Sequence, residues 1–336
     1  VLKCVRLTTK DAALVVSATD LEVALRVEVR QVEIKTKGDI LIPADKLMAI
    51  VHESVDDTLT IEADEQVCHI RGKDSHFEVY GQDPREFPPV PTLEGTPDLE
   101  IDGPVLSDLI NKTLFAVAKE NTRYAINGIL WAKQGKKLML VSTDGRRLAR
   151  AVGAAEGAGA DSQMIVPAKT VQVLQRVLGH TEGKIGVKFS SNQIIVQADS
   201  YFISSALVEG HFPQYEDIIP KDSDKKVELN TGEFLSAVRR AALLTNEQSK
   251  GVRLTFDKDQ LTLSSRAPEQ GEATISMTTD YAGPPMEIGF NPLFLIDALK
   301  VANSPTVTLE MKESNRPGVF RIAQSFLYVV MPVSLT

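Results

Sequence analysis

Apolar residues recur along the chain with two different periods, and each period predicts a different element. A helical period at residues 168–178 and 233–244 places apolar residues on one side and polar residues on the other. Short stretches such as KQGKKLML, KFSSNQIIV and FDKDQLTL instead alternate apolar and polar residues around a turn, as β-hairpins do. A few helices among many short strands predict an α+β protein, with antiparallel sheets that carry their helices on one face.

Three landmarks recur at a nearly constant spacing, which indicates a duplicated domain. LVVSATDLEVALRV (14–27) resembles LMLVSTDGRRLARAV (138–152), and ILIPADKLMAIV (40–51) resembles MIVPAKTVQVLQRV (164–177). Thr19 and Thr143 are 124 residues apart, and so are Pro43 and Pro167. A Phe-Pro pair follows in each copy. The last third of the chain keeps the same order with weaker similarity, so the sequence predicts three copies.

The repeats also set the predicted domain boundaries, at residues 1–97, 98–222 and 223–336. The second and third copies open with a helix, which Asp102 and either Asn230 or Thr231 can cap. The first copy shows no such helix, and the chain begins at Val1 inside a strand-like segment. The first domain is therefore expected to lack its first strand and helix.

Composition and charge restrict the class of protein. Apolar residues make up 43% and charged residues 24% of 336 residues, as in globular proteins. No apolar run approaches the ~20 residues that span a bilayer, and no signal peptide opens the chain, so we predict a cytoplasmic protein. Cys4 and Cys68 are expected to be buried, reduced thiols. The net charge of −8 argues against a uniformly basic surface but permits a basic stripe.

Motifs for catalysis or cofactor binding are not found in the sequence. The five histidines have no H-x-x-x-H spacing, and the two cysteines have no C-x-x-C spacing, so neither a metal site nor a cofactor is predicted. Phosphate-binding glycine motifs and the G-x-S-x-G motif are also missing from it. Thr-Asp at the end of a strand, at Asp20 and again at Asp144, is typical of a turn whose side chains bond local backbone.

Outward positions of the predicted helices are mostly neutral or basic, although the whole chain is acidic. Three similar domains with helices facing one way would place these residues on a common, mildly positive surface, suited to phosphate contact without base reading. The alternative is that each helix shows an ordinary solvated face. The residues predicted on this basis to contact DNA are Lys112, Lys169, Arg176, Arg239 and Arg240.

Six motifs together resemble those of the bacterial sliding clamps, the beta subunit family of DNA polymerase III. TRYAINGIL, VSTDGRRLA, FPQYEDIIP, NEQSKGVRL, MEIGFNPLFL and YVVMPVSL occur in the family's order, and the similarity covers essentially the whole chain. The resemblance implies three clamp domains per chain and two chains that close head to tail around double-stranded DNA, without sequence preference. It implies no catalytic group, and it places DNA contacts at Lys169, Arg123 and Tyr124.

The resemblance also implies a pocket for short peptides of polymerases, the clamp loader and repair proteins, which carry a Gln followed by Leu and Phe-type anchors. Arg146 stands where the family often has His, and Ser334 where it often has Arg, so the peptide preference is left open. The implied residues, called the candidate pocket below, are Ile126, Thr143, Gly145, Arg146, Arg147, Leu148, Pro213, Ile218, Asn291, Phe294, Val329, Val330, Met331 and Pro332.

The function predicted from these observations is that of a homodimeric sliding clamp that tethers a replicative polymerase to DNA and is not an enzyme. Two alternatives remain open at this point. One is a repeat-built scaffold that binds proteins without encircling DNA, and the other is a hydrolase that uses Asp144.

Overall fold

The structure, a computed structural model, describes residues 2–64, 66–119, 125–245, 251–268 and 270–334. Arg123 and Tyr124, two of the predicted DNA contacts, lie outside the described residues. The chain divides into two compact units. Unit 1 contains residues 1–104, 156–159 and 172–207, and unit 2 contains residues 105–155, 160–171 and 208–336.

Twenty-three strands are present in the described residues. In chain order they are β1 (Cys4–Lys10), β2 (Ala13–Thr19), β3 (Val23–Val29), β4 (Asp39–Pro43), β5 (Thr60–Asp64), β6 (Val67–Arg71), β7 (His76–Tyr80), β8 (Leu99–Asp102), β9 (Gly128–Gln134), β10 (Lys137–Thr143), β11 (Arg147–Ala154), β12 (Ser162–Pro167), β13 (Lys184–Phe189), β14 (Gln193–Ala198), β15 (Tyr201–Ala206), β16 (Lys225–Asn230), β17 (Val252–Asp257), β18 (Gln260–Ala267), β19 (Gly271–Thr278), β20 (Met286–Phe290), β21 (Thr306–Met311), β22 (Gly318–Ile322) and β23 (Phe326–Val330).

Each unit is built around an eight-stranded sheet that joins strands from distant parts of the chain. In unit 1 the order is β4-β1-β2-β3-β15-β14-β13-β8, and a separate three-stranded sheet has the order β5-β6-β7. In unit 2 the order is β12-β9-β10-β11-β23-β22-β21-β16, beside a four-stranded sheet β19-β18-β17-β20. All the paired strands in these sheets are antiparallel. Each large sheet therefore takes strands from two of the predicted domains.

Five α-helices accompany the sheets in the described residues: α1 (Ala44–Glu53), α2 (Gly103–Thr113), α3 (Ala168–Leu178), α4 (Thr231–Ala242) and α5 (Pro292–Lys300). The α+β class predicted from the sequence is confirmed. Asn230 caps α4, because its side-chain oxygen accepts a hydrogen bond from the Glu233 amide at 3.0 Å. None of the helices in the described ranges is long and apolar enough to cross a membrane.

The helical period of the sequence correctly predicted which side of α3 and of α4 is buried. Val171, Leu174, Val177 and Leu178 of α3 are buried, as are Phe234, Val238 and Ala241 of α4. Burial of such side chains stabilises each unit by about 1.5–3 kcal/mol per large apolar residue. Cys4 and Cys68 are buried free thiols, as predicted, and burial raises the pKa of Cys68.

Candidate functional site

The loop between β10 and β11 is a turn held by its own side chains. The Asp144 carboxylate accepts hydrogen bonds from the amides of Arg146 and Arg147, at 3.0 and 3.1 Å. Thr143 Oγ1 donates to the Arg147 carbonyl at 2.7 Å and accepts from the Gly145 amide at 3.1 Å. Gly145 has φ 84°, and a Cβ at this position would meet nothing within 4 Å. This positive φ favours glycine, and the missing side chain leaves open space above the turn.

The earlier Thr-Asp pair forms the same turn. Thr19 Oγ1 donates to the Val23 carbonyl at 3.1 Å and accepts from the Leu21 amide, and Asp20 accepts from the Glu22 and Val23 amides. The prediction that Asp20 and Asp144 are turn formers is confirmed. Because one oxygen of Asp144 accepts backbone hydrogen bonds and the other pairs with Arg147, a structural role accounts for both.

The β10–β11 turn is joined directly to the end of the last strand. In the register of β11 and β23, Arg147 lies opposite Val330 and Leu148 opposite Val329. The Met331 amide then donates to the Arg146 carbonyl at 2.9 Å. Residues more than 180 positions apart in the sequence are therefore held side by side by backbone hydrogen bonds.

Several residues of the candidate pocket form a buried floor rather than an open wall. Leu148 and Val329 belong to a core cluster that also contains Tyr215, with Phe212 and Ile219 packed against it. This packing anchors the segment that carries Pro213 and Ile218 to the same sheet. Five residues of the candidate pocket are almost completely covered: Ile126, Thr143, Leu148, Val329 and Val330.

Apolar side chains at the edge of this floor remain accessible. Ile218 is 43% exposed and Met331 is 39% exposed, both high values for large apolar residues. Pro213, Phe294 and Pro332 are half-buried, and Arg146 is exposed. Asn291 caps α5, since its side-chain oxygen accepts from the Leu293 amide at 3.0 Å. The accessible apolar part of the candidate pocket is therefore Ile218, Met331 and the half-buried Pro213, Phe294 and Pro332, above a closed floor.

Arg147 lies beneath this surface and connects several elements. Its side chain is only 10% exposed and forms ion pairs with Asp144 at 3.0 Å and Asp297 at 2.8 Å. It also donates to the Phe115 carbonyl at 2.7 Å, and its guanidinium carbon lies 4.4 Å from the centre of the Phe294 ring. Arg147 therefore positions Phe294 and the turn, and it offers little surface to a ligand.

The charge on Arg147 is maintained despite its burial. Burial lowers the pKa of the guanidinium, but the hydrogen bond to Asp297 and the interactions with Tyr328 and Asp144 outweigh it, so the pKa is raised. Burial also raises the pKa of Tyr328, although Arg147 opposes this shift. The Tyr328 hydroxyl donates to the Phe294 carbonyl at 3.0 Å.

Four residues of this region were missed by the sequence analysis: Leu293, Asp297, Phe115 and Tyr328. Leu293 is exposed in the first turn of α5, next to Phe294, and adds apolar surface there. Asp297 is an acidic residue among outward helix positions that are mostly neutral or basic, a pattern that does not mark it as a partner of Arg147. Tyr328 reaches Arg147 through the pairing of β11 with β23, and Phe115 lies in the short 3-10 turn Leu114–Ala116 after α2. No local pattern in the sequence reveals either contact.

Most basic residues predicted to contact DNA are on the surface. Lys169, Arg176, Arg239 and Arg240 are exposed. The structure corrects the prediction for Lys112, whose side chain is 7% exposed and is paired with Asp108 at 2.5 Å. Its ammonium nitrogen lies 5.9 Å from the centre of the Phe326 ring. Lys112 sits on the polar side of its own helix, but its ammonium group is buried between Asp108 and the Phe326 ring of β23, so it is unavailable to phosphate.

Three models of one protein family match the chain in tandem. They describe the N-terminal, central and C-terminal domains of the DNA polymerase III beta subunit, and they match residues 1–91, 100–214 and 216–334. The chain is 35% identical to the beta sliding clamp of Pseudomonas putida, over 100% of this chain and 92% of the relative. It is 31% identical to that of Escherichia coli, over 98% of this chain and 91% of the relative.

Solved structures show the same fold. A crystal structure of the sliding clamp of Pseudomonas aeruginosa bound to griselimycin has a TM-score of 0.92 and 33% sequence identity to this chain, covering 99% of it and 92% of that chain. The sliding clamp of Bacillus subtilis has a TM-score of 0.93 and 25% identity, covering 100% of this chain and 92% of that chain.

Proposed function

This chain belongs to the DNA polymerase III beta subunit family, the beta sliding clamps, and on that premise we propose that two copies close around duplex DNA and hold a replicative polymerase on its template. The observation that supports this most directly is the tandem match of all three family domains between residues 1 and 334. The clamp acts in the cytoplasm by topological linkage, so it needs neither base reading nor a catalytic group.

Exposed cations on two helices support weak contact with the DNA backbone. Arg239 and Arg240 are neighbours in the last turns of α4, where positive charge also interacts favourably with the helix dipole. Lys169 and Arg176 are exposed at opposite ends of α3. Separate cations of this kind bind phosphate without sequence preference, and their affinity falls as salt rises. Such contacts allow a closed clamp to slide.

Retention on DNA should depend on whether the DNA has ends. After loading by a bacterial clamp loader, the protein is expected to remain on a nicked circular plasmid in high salt and to be lost once one restriction cut linearises it. Topological linkage explains this result, because salt weakens phosphate contacts but cannot open a closed ring. Gel filtration, which separates clamp bound to the large plasmid from free clamp, measures the retained fraction. Equal retention before and after the cut, or no retention on either DNA, would contradict encirclement.

The candidate pocket supports the second part of the proposal, binding of short peptides from the polymerase, the clamp loader and repair proteins. Its accessible apolar surface consists mainly of Ile218, Met331 and the half-buried Phe294 and Pro332. Flexible Met beside rigid Pro suits a site that accepts several related sequences. The open space above Gly145 would let a peptide approach the backbone of the turn.

Met331→Ala is expected to weaken a peptide with Gln, Leu and Phe-type anchors by roughly 10-fold, since an anchor contact is often worth about 1–2 kcal/mol. Stability should change little, because Met331 is 39% exposed. Isothermal titration calorimetry measures the affinity, and Met48→Ala, the same change at an exposed site on α1, serves as the control. Unchanged affinity in Met331→Ala, or an equal loss in both variants, would remove Met331 from the pocket.

A further inference from the structure

Two histidines and a glutamate converge on one face of the β5-β6-β7 sheet. His69 Nδ1 lies 3.1 Å from His76 Nε2 and 3.7 Å from Glu78 Oε1. One ligand atom from each of the three residues lies within 4.8 Å of the others. None of the three residues belongs to the candidate pocket or to the basic helix faces.

Strand register explains why these side chains share a face. His69 on β6 lies directly opposite Glu78 on β7, and His76 lies opposite Arg71, two residues further along β6. Alternate residues of a strand point to the same side. The other side of the same strands carries Cys68, Ile70 and Val79 in the core of unit 1. Core packing therefore fixes the register and holds the two histidines and the glutamate on the outer side.

Two separations between the ligand atoms are close to those of a metal site, and the third is below 4.8 Å. Zn²⁺ binds imidazole nitrogen and carboxylate oxygen at about 2.0–2.2 Å, which places tetrahedral ligand atoms roughly 3.3–3.6 Å apart. The separations of 3.1 and 3.7 Å in the structure bracket this range. The His69 side chain is 21% exposed, so packing restricts its ring, while Glu78 is half-exposed and can adjust.

The electrostatic surroundings also favour a cation. Arg71, the basic residue nearest in register, is neutralised by an ion pair with Glu62. The three strands of this sheet contain three acidic residues, Glu62, Asp64 and Glu78, and one basic residue, Arg71. Excess negative charge near the cluster raises the local concentration of cations.

We propose that His69, His76 and Glu78 form a binding site for one Zn²⁺ ion, with a fourth coordination position open to solvent. Two imidazoles with one carboxylate select a transition metal, because Mg²⁺ and Ca²⁺ require oxygen ligands. The spacing of histidines along the sequence predicted no metal site, since a cluster assembled across two strands has no fixed local motif. The site stands independently of the proposed clamp function.

Titration of the full chain, freed of any histidine tag, with ZnCl2 in the presence of excess MgCl2 tests the proposal. Calorimetry is expected to show one Zn²⁺ per chain. His76→Ala should lower the affinity by roughly 100-fold and Glu78→Gln by at least about 10-fold, because even outer-sphere partners of a metal contribute 10–100-fold. Both positions are exposed, so the variants should fold, and circular dichroism checks this.

The matched control is His52→Ala, which removes an exposed histidine from a surface pair with Glu53 that has a spacing of 3.3 Å. This variant should keep the affinity of the original protein. Visible absorption bands of bound Co²⁺, strong only in a tetrahedral site, should disappear in His76→Ala and persist in His52→Ala. The site would be disproved by equal Zn²⁺ affinity in His76→Ala and the unchanged protein, by an equal loss in the control, or by no saturable binding at all.

Discussion

Arg147→Met is expected to destabilise unit 2 by about 3 kcal/mol, the lower end of the cost of breaking a buried ion pair by removing one partner. The lower end applies because Asp144 and Asp297 keep some contact with water, with side chains 21% and 35% exposed. The Phe115 carbonyl also loses its donor. Phe294 loses the guanidinium against its ring, so peptide affinity should fall together with stability.

Trp131 provides a local signal for this measurement. It is the single tryptophan of the chain and is fully buried on β9, in the same unit as Arg147. Urea unfolding followed by its fluorescence reports on unit 2. Arg146→Met, the same change one residue earlier at an exposed position, should alter stability by no more than about 0.5 kcal/mol. Similar urea midpoints for the two variants would show that the Arg147 ion pairs contribute nothing.

Reversing the charge of Arg239 and Arg240 together should weaken binding to a short duplex by at least about 50-fold near 0.1 M salt. The estimate follows from two lost phosphate contacts, each of which releases about 0.9 counterion from B-DNA. The slope of log affinity against log salt should become shallower by about 2. Fluorescence anisotropy of a labelled duplex with free ends measures both quantities without a loading step.

A second double charge reversal, at a different site, distinguishes direct contact with DNA from an effect of the net charge of the protein. Lys136 and Lys137 are adjacent exposed cations at the β9–β10 turn, so Lys136→Glu with Lys137→Glu changes the net charge by the same amount. Only a small loss of affinity is expected there. If both double variants bind equally weakly, Arg239 and Arg240 act through the overall charge of the protein and do not touch DNA.

Local patterns in the sequence predicted the local structure well. The bounds of α3, the cap of α4 and the Thr-Asp turns depend on residues within a few positions of each other, so short motifs contain the information. The family, too, was identified correctly from six short motifs, because each combines several such constraints.

The errors arose where distant segments meet. Lys112 was placed correctly on the polar side of α2, but Phe326, more than 200 residues later, packs beside it. Arg147 was expected in the wall of the candidate pocket, yet Asp297 and Phe294 enclose it. Helical period identifies the side of a helix that is polar, and it cannot tell whether another part of the chain will cover that side.

The pairing of β11 with β23 has a consequence during synthesis of the protein. Strand β11 ends at Ala154, and β23, the strand that pairs with its outer edge, begins at Phe326. At about 5–20 residues per second, the ribosome needs roughly 10–35 s to make the intervening chain. Throughout that interval the outer edge of β11 lacks its partner strand, and an unpaired apolar edge is where aggregation begins. A chaperone that shields β11 until translation is nearly finished would therefore raise the yield of folded protein.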